Sequence, residues 1–257
     1  MWRGVTWLLV GVLSIALTAA IFLPASWLAV MVEKQSAGRL VLGDAQGSLW
    51  RGSAFIAGAA TNNDPVTALL PGRFEWEISP MILLGQTDVE LRNPDALSQA
   101  IHVTGSWSQW QISPAEISMG AERLSSLGAP LNTLQPTGQM RLSWQPLQLT
   151  HQNGVVEMNG TLNLIIDDIA SRLSPVKPLG SYNLAIEWRG QQAQLLIKTI
   201  KGAMELNGSG ALNNGSVQFS GMAQAAEGQE EKLANFLNLL GQRRQQNGKE
   251  VIALEFK

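Results

Sequence analysis

The stretch Val156-Glu157-Met158-Asn159-Gly160-Thr161-Leu162-Asn163-Leu164-Ile165-Ile166 decides the fold. Val156, Met158, Leu162, Leu164 and Ile166 fall on one side of an extended chain, and Glu157, Asn159, Thr161 and Asn163 on the other. A period of two is what a strand with one buried face requires, because successive side chains point to opposite faces. The pattern repeats outward in both directions. Upstream, Met140, Leu142 and Trp144 alternate with Gln139, Arg141 and Ser143, and Ile101, Val103 and Trp107 share a side. Phe74, Trp76 and Ile78 alternate with Arg73, Glu75 and Glu77, and Leu40 and Leu42 with Val41 and Gly43. Downstream come Tyr182, Leu184, Ile186 and Trp188, then Met204, Leu206 and Leu212, then Ile252, Leu254 and Phe256.

Turn chemistry separates these runs. Asn153-Gly154, Asn207-Gly208 and Asn214-Gly215 are expected hairpin or bulge positions, since Asn and Gly tolerate positive φ. The prolines from Pro65 to Pro178 fall between runs, as expected of a residue that cannot donate to a central ladder. Helical signals are few. Ala121–Leu127 and Ile166–Ser174 are short candidates, the latter with Asp167-Asp168 supplying charge near its start. The strongest is Gly228–Leu240, where Leu233, Phe236, Leu237 and Leu240 repeat at i, i+3, i+4 and i+7 and Gly241 is placed as a left-handed cap. The expected fold class is mainly β: an N-terminal transmembrane helix, then a curved, mostly antiparallel sheet with a few short helices.

The membrane expectation comes from Val5–Leu23, 19 residues without a charge. At about 1.5 Å per residue such a helix spans roughly 28 Å, close to the hydrocarbon thickness of a bilayer. Arg3 on the short N-terminal side places that end in the cytoplasm. A cleaved signal peptide is the rival reading; against it, the apolar run exceeds a typical signal core and no clean Ala-x-Ala site follows it. The expected organisation is a cytoplasmic tail at 1–4, a signal-anchor helix at 5–25, a membrane-proximal segment at 26–37 and a periplasmic β-rich domain at 38–257. The similar patterning of 38–130 and 131–257 reads as a weak internal duplication.

Composition excludes several classes of chemistry. Residues 1–32 hold one charged side chain, Arg3, so the remainder carries 17 basic against 20 acidic residues and no basic cluster of the kind that binds nucleic acid. There is no cysteine, hence no disulfide and no thiolate. His102 and His151 lie far apart in sequence and lack the spacing of metal ligands. No Gly-x-Ser-x-Gly elbow or phosphate-cradling loop occurs, and Gly208-Ser209-Gly210 lacks the third glycine and following helix of a dinucleotide site. No catalytic, cofactor or metal residues are therefore assigned. Three sets of candidates remain. Trp50, Trp76, Trp107, Trp144 and Trp188, with Leu184 and Ile186, would line a core or an open apolar groove suited to peptide or acyl chain. Leu233, Phe236, Leu237 and Leu240 would form an interaction helix, and Arg243-Arg244 a basic contact with acidic lipid or protein.

An ordered set of short strings adds a resemblance. Leu23-Pro24-Ala25-Ser26-Trp27-Leu28 follows the apolar run, and Gly38-Arg39-Leu40-Val41-Leu42 leads into Gly47-Ser48-Leu49-Trp50-Arg51-Gly52. Leu70-Pro71-Gly72-Arg73-Phe74-Glu75-Trp76 comes next, then Leu173-Ser174-Pro175-Val176-Lys177-Pro178-Leu179-Gly180-Ser181-Tyr182, and near the end Phe236-Leu237-Asn238-Leu239-Leu240-Gly241-Gln242-Arg243. Together they resemble general secretion pathway protein N, the N subunit of the type II secretion system. The resemblance implies a bitopic inner-membrane protein of Gram-negative bacteria. It would have no enzymatic activity and would work beside the other inner-membrane subunits that export folded proteins from the periplasm. The Gly-x-Leu-x-Leu … Gly-x-Leu-Trp opening is also similar to AsmA-like envelope proteins, which implies the same architecture with a lipid-binding trough as the alternative role.

Overall fold

The structure, a computed structural model, describes residues 7, 10–12, 14, 18, 21–38, 40–58, 67–127, 131–213, 216–246 and 249–256. The alternating runs become strands: β1 (Leu40–Gly47), β2 (Arg51–Gly58), β3 (Thr67–Ala68), β4 (Phe74–Ile78), β5 (Gln86–Arg92) and β6 (Ile101–Ser106). They continue as β7 (Gln109–Ile112), β8 (Ala115–Gly120), β9 (Pro136–Trp144), β10 (Leu147–Gln152), β11 (Val155–Ser171) and β12 (Gly180–Gly190). The last are β13 (Gln192–Gly202), β14 (Met204–Asn213), β15 (Ser216–Ala225), β16 (Gln242–Gln246) and β17 (Lys249–Phe256). Helices are α1 (Ser26–Gln35), α2 (Leu131–Leu134) and α3 (Glu230–Leu240), with 3-10 turns at Pro80–Leu84 and Ala121–Leu127.

All these strands belong to one large open sheet, and every pairing is antiparallel. β1 pairs with β2, which pairs with β4 and with the short β3. The ladder then runs β4–β5–β6–β7–β10–β11. Beyond β11 it continues β12–β13–β14–β15–β17–β16. The long β11 is the branch point. Val155–Asn159 pairs with β10, while Leu162–Ser171 pairs with β9 on the same edge, and β9 carries β8. The sheet therefore forks, and residues 96–98 cap the outer edge of the short limb through Ser118 N–H to Ala96 O (2.9 Å) and Ser98 N–H to Glu116 O (3.1 Å).

Three apolar clusters hold the sheet. Phe74, Ala96, Leu97, Ile101, Ala115, Trp144 and Leu147 are buried together between the limbs of the fork. Leu179, Tyr182, Met204, Ala223 and Ile252 are buried beneath Leu233, Phe236 and Leu237 of α3. Ala25, Ala54 and Trp76 form a smaller cluster where the start of α1 meets the sheet.

Several local expectations change. The helix expected over Ile166–Ser174 is strand instead. β11 runs through to Ser171, with a bulge at Asp167–Asp168 that shifts the register against both β9 and β12. Asp168 takes φ 48°, and its N–H donates to Ser181 Oγ at 2.9 Å. The bulge breaks the two-residue period, which is why the segment imitates a helix. Asp167 and Asp168 do not sit at a helix start: Asp167 pairs with Arg141 of the neighbouring β9 (2.8 Å), and Asp168 reaches past β12 to Lys201 of β13 (3.0 Å). Gly241 is extended, at φ 175°, rather than left-handed. Its role is close approach, since a Cβ there would meet Ala253 O at 2.6 Å as the chain turns straight into β16. Ala121–Leu127 is a 3-10 turn, and Asn207-Gly208 lies within the unbroken β14–β15 ladder. Asn153-Gly154 makes the β10–β11 hairpin, with φ of 51° and 79°. Asn214-Gly215 lies outside the described residues.

Within 5–25, Trp7, Val10–Val12, Ser14, Thr18 and Ile21 are described and helical; most other positions of that stretch, and all of 1–4, lie outside the described residues. Ser14 Oγ donates to Val10 O and Thr18 Oγ1 to Ser14 O, both at 2.8 Å. Among the described residues no helix is long and apolar enough to cross a membrane.

Candidate interaction face

Paired residues of an antiparallel ladder project to the same face, so the registers define a surface directly. One row reads Leu142, Leu164, Leu184, Ile197 across β9, β11, β12 and β13. The next reads Trp144, Leu162, Ile186, Leu195, Gly210, Phe219 from β9 to β15. A third reads Gly160, Trp188, Ala193, Leu212, Val217. The opposite face carries Asn183 and Lys198, then Glu187, Gln194 and Gln218. One face is thus apolar across at least five strands while its back is mainly polar.

The apolar face is closed at its ends and not in the middle. At one end α3 covers Tyr182, Ala223 and Ile252. At the other, the fork buries Trp144. Between them Leu184, Ile186, Trp188, Leu195 and Leu212 remain half-buried. The ring of Phe219 lies over Gly208, Gly210 and Gly221: a Cβ at any of the three would meet its ring carbons within 2.6–3.1 Å. The Gly208-Ser209-Gly210 string is thereby accounted for by packing.

The tryptophans are not gathered into one site. Trp188 shares the half-buried strip with Leu184 and Ile186. Trp144 is buried in the fork, its indole N–H donating to Ser113 O at 2.9 Å, and Trp76 is buried beside Ala25 and Ala54, donating to Leu49 O at 3.0 Å. Trp50 is half-buried in the β1–β2 turn, where its carbonyl accepts from Ile78 N–H at 2.7 Å. Trp107 lies on neither face; it caps the β6–β7 turn, 64% exposed. In α3, Leu233, Phe236 and Leu237 are buried against the sheet and Leu240 is half-buried, so that stripe packs inward. Arg243 and Arg244 lie on the edge strand β16, not at a helix end; Arg244 pairs with Glu255 at 2.8 Å and Arg243 bonds Asn238.

Sequence reading missed a charged patch on the other face of the N-terminal strands. The rows Arg51–Glu77–Glu90–His102 and Ser53–Glu75–Arg92 are cross-strand neighbours. Most of these residues line a shallow depression of about 350 Å³. The guanidinium of Arg92, hydrogen-bonded to Glu90, holds that carboxyl below its ordinary value, against a smaller desolvation effect. At the β11 bulge, the ammonium of Lys201 does the same for Asp168. Tyr182 differs: burial pushes its hydroxyl above the ordinary phenol value, and it donates to Met204 O at 2.9 Å. His102 and His151 are both exposed on strands, and among the described residues no group of three or more His, Cys, Asp or Glu could hold a metal ion.

Fold and face together define a class: a large open antiparallel sheet with a partly uncovered apolar face. Residues 38–252, from the start of β1 nearly to the end of β17, match the family of type II secretion system (T2SS) protein N, and the chain belongs to that family. No curated protein and no solved structure matches it.

Proposed function

We propose that this protein is an inner-membrane accessory component of the type II secretion system. In this reading it is held by a single N-terminal span, with its sheet in the periplasm. It supports export of folded proteins across the outer membrane through contacts with other inner-membrane subunits, without chemistry of its own. The family match over 38–252 carries the reading. The uncharged Val5–Leu23 run supports the membrane part, as do the exposed apolar side chains of Trp7, Val10, Val12, Ile21 and Phe22. Cross-linking in intact membranes followed by affinity capture of the full chain tests it. Inner-membrane secretion subunits should be recovered; their absence overturns the reading.

A second reading is favoured by the half-buried strip of Leu184, Ile186, Trp188, Leu195 and Leu212. Such a strip suits an acyl chain or an apolar peptide, because contiguous exposed apolar surface is a contact surface. Native mass spectrometry of the detergent-solubilised full chain would show retained lipid. A clean apo mass under conditions that preserve the fold counts against the trough and leaves the subunit reading intact.

A further inference from the structure

The strand registers align six connections along one end of the sheet. Their flanking pairs are Gly47 with Gly52, Ile78 with Val89, Gly105 with Trp110, Gln152 with Val155, Arg189 with Gln192, and Asn213 with Ser216. Neighbouring strands tie these pairs together through Arg51–Glu77, Gln86–Ser106, Gln109–Thr150, Met158–Gly190 and Gln192–Asn213. The uncharged N-terminal run joins the sheet at this same end. Leu23 O accepts from Leu49 N–H at 2.7 Å, and Ala25 N–H donates to Gly47 O at 3.1 Å. Pro24 bridges Ser48, and Ala25 is buried. No linker intervenes: the last residue of the apolar run is hydrogen-bonded to the β1–β2 turn.

Composition along this end is graded. The β4–β5 connection, Ser79-Pro80-Met81-Ile82-Leu83-Leu84-Gly85, carries no charge. Met81, Leu83 and Leu84 project from it, 51%, 61% and 80% exposed. Trp107, from the next turn, braces it: its indole N–H donates to Ile82 O at 2.8 Å and its ring lies beside Gly85. Gly85, at φ 90°, closes the 3-10 turn in a conformation other residues rarely adopt. Further along, the tips are polar, as at Asn153-Gly154 and Gly190-Gln191. A solvated turn has no physical reason to hold two leucines, a methionine and a tryptophan outward on a braced scaffold. A tryptophan with a satisfied N–H and an exposed ring is a typical membrane-interface residue.

We propose that Met81, Leu83, Leu84 and Trp107 form a rim that dips into the surface of the bilayer holding the Val5–Leu23 run. The sheet then stands on the membrane at two points, which fixes its orientation. The proposal rests on the membrane-anchored reading above. Lipid is the favoured occupant because of position. The β4–β5 connection lies about two strand spacings, on the order of 10 Å, from the turn that grips Leu23. The interfacial region of a bilayer leaflet is itself roughly 5–8 Å deep. A rim this near the point where the apolar run enters the domain lies at headgroup height.

The chain has no cysteine, so single cysteines can be introduced into the full-length protein and labelled with a nitroxide. Val12→Cys reports the anchor, Leu83→Cys and Leu84→Cys the rim, and Leu173→Cys, exposed at the opposite end of the sheet, the aqueous reference. The probe is a nanodisc of phosphatidylethanolamine and phosphatidylglycerol. Accessibility to oxygen, which concentrates in lipid, is compared with accessibility to a water-soluble nickel chelate. The oxygen-to-nickel ratio should be highest at 12, intermediate at 83 and 84, and lowest at 173. A ratio at 83 and 84 equal to that at 173, with a high ratio at 12, overturns the rim and leaves the anchor standing. Nickel dominating at 12 overturns the anchor and the rim with it. Protection from both reagents at 83 and 84 means that protein covers the rim, which also overturns the proposal. All four positions are exposed, and circular dichroism checks that each variant keeps its sheet.

Discussion

Replacing Leu233 with alanine should cost the domain about 3–4 kcal/mol, while the same change at Leu239, six residues along the same helix, should cost almost nothing. Leu233 is fully buried among Leu179, Tyr182, Met204, Ala223 and Ile252; Leu239 is 64% exposed. Truncation at Leu233 removes three carbon groups from an apolar site, about 2.4 kcal/mol at roughly 0.8 kcal/mol each. The remaining void adds on the order of 1 kcal/mol, at about 24 cal/mol per Å³ for the part that does not collapse. The site has little freedom to collapse because the floor beneath α3 is sheet, fixed by ladders on both sides of β15. For a domain of this size, 1 kcal/mol moves the thermal midpoint by roughly 2–4 °C, so Leu233→Ala should fall by about 6–16 °C. An exposed truncation at Leu239 stays within about 0.5 kcal/mol. Thermal unfolding of the detergent-solubilised full chain, followed by circular dichroism in the strand region, reads both. Equal shifts for the two variants, or a shift under about 3 °C for Leu233→Ala, would refute the account of α3 as the lid on this end of the apolar face.

Gly105→Ala should destabilise by at least about 1–3 kcal/mol, since φ is 153° and a Cβ would meet Gln109 O at 2.0 Å; Gly154→Ala, at φ 79° in open space, should cost less, and thermal midpoints compare them. The chain's one tyrosine makes absorbance titration specific: Tyr182 should ionise only above the ordinary phenol value, and a normal titration below about pH 10 would show that its site is not dry. Because its folded value is raised, its contribution is fully present below about pH 10 and is lost as pH rises further, so alkaline urea midpoints should fall there. Glu90 and Asp168 have the opposite sign: both are held low when folded, so their stabilisation is present above about pH 4 and is lost as pH falls. Asp168→Asn should flatten the acid limb of a urea-midpoint profile; an unchanged limb refutes that assignment.

The sheet was legible because strand alternation is a local signal, and so was α3, whose four apolar residues recur at helical spacing. The chain's errors of disguise are equally physical. The Asp167–Asp168 bulge inserts an irregular step that destroys the two-residue period, and nothing local distinguishes that from a helical turn. Alternation also assigns a side chain to a side of its strand without saying what lies over it. Trp144 and Trp188 carry the same signal, yet the fork buries one and leaves the other on the half-buried strip. Trp107 continues the parity of Ile101 and Val103 and still leaves both faces, because the strand ends at Ser106. The cross-strand charges and the apolar rim depend on which distant segments become neighbours, information held by the registers.

Cohesion in this sheet is uneven, and that constrains how it can work. The ion pairs among the described residues lie at or near the surface, where solvent screening leaves each of them a small contribution. The stabilising burial is instead concentrated in the fork, beneath α3 and where α1 meets the sheet. Between the first two, Leu195 of β13 and Gly208–Leu212 of β14 rely on ladder hydrogen bonds and half-buried side chains. Strands held that way open locally at lower free energy than those crossing a buried cluster. A ligand or subunit settling on the Trp188 strip would therefore complete the least consolidated part of the sheet, whereas contacts at the charged patch or at β16 would leave it as it is. Binding to the strip stabilises the whole domain by mass action. Binding at the patch or the edge does so too, but without shielding the central strands. Where protection falls within the sheet thus tells an occupant of the strip from a contact at the patch or at the edge.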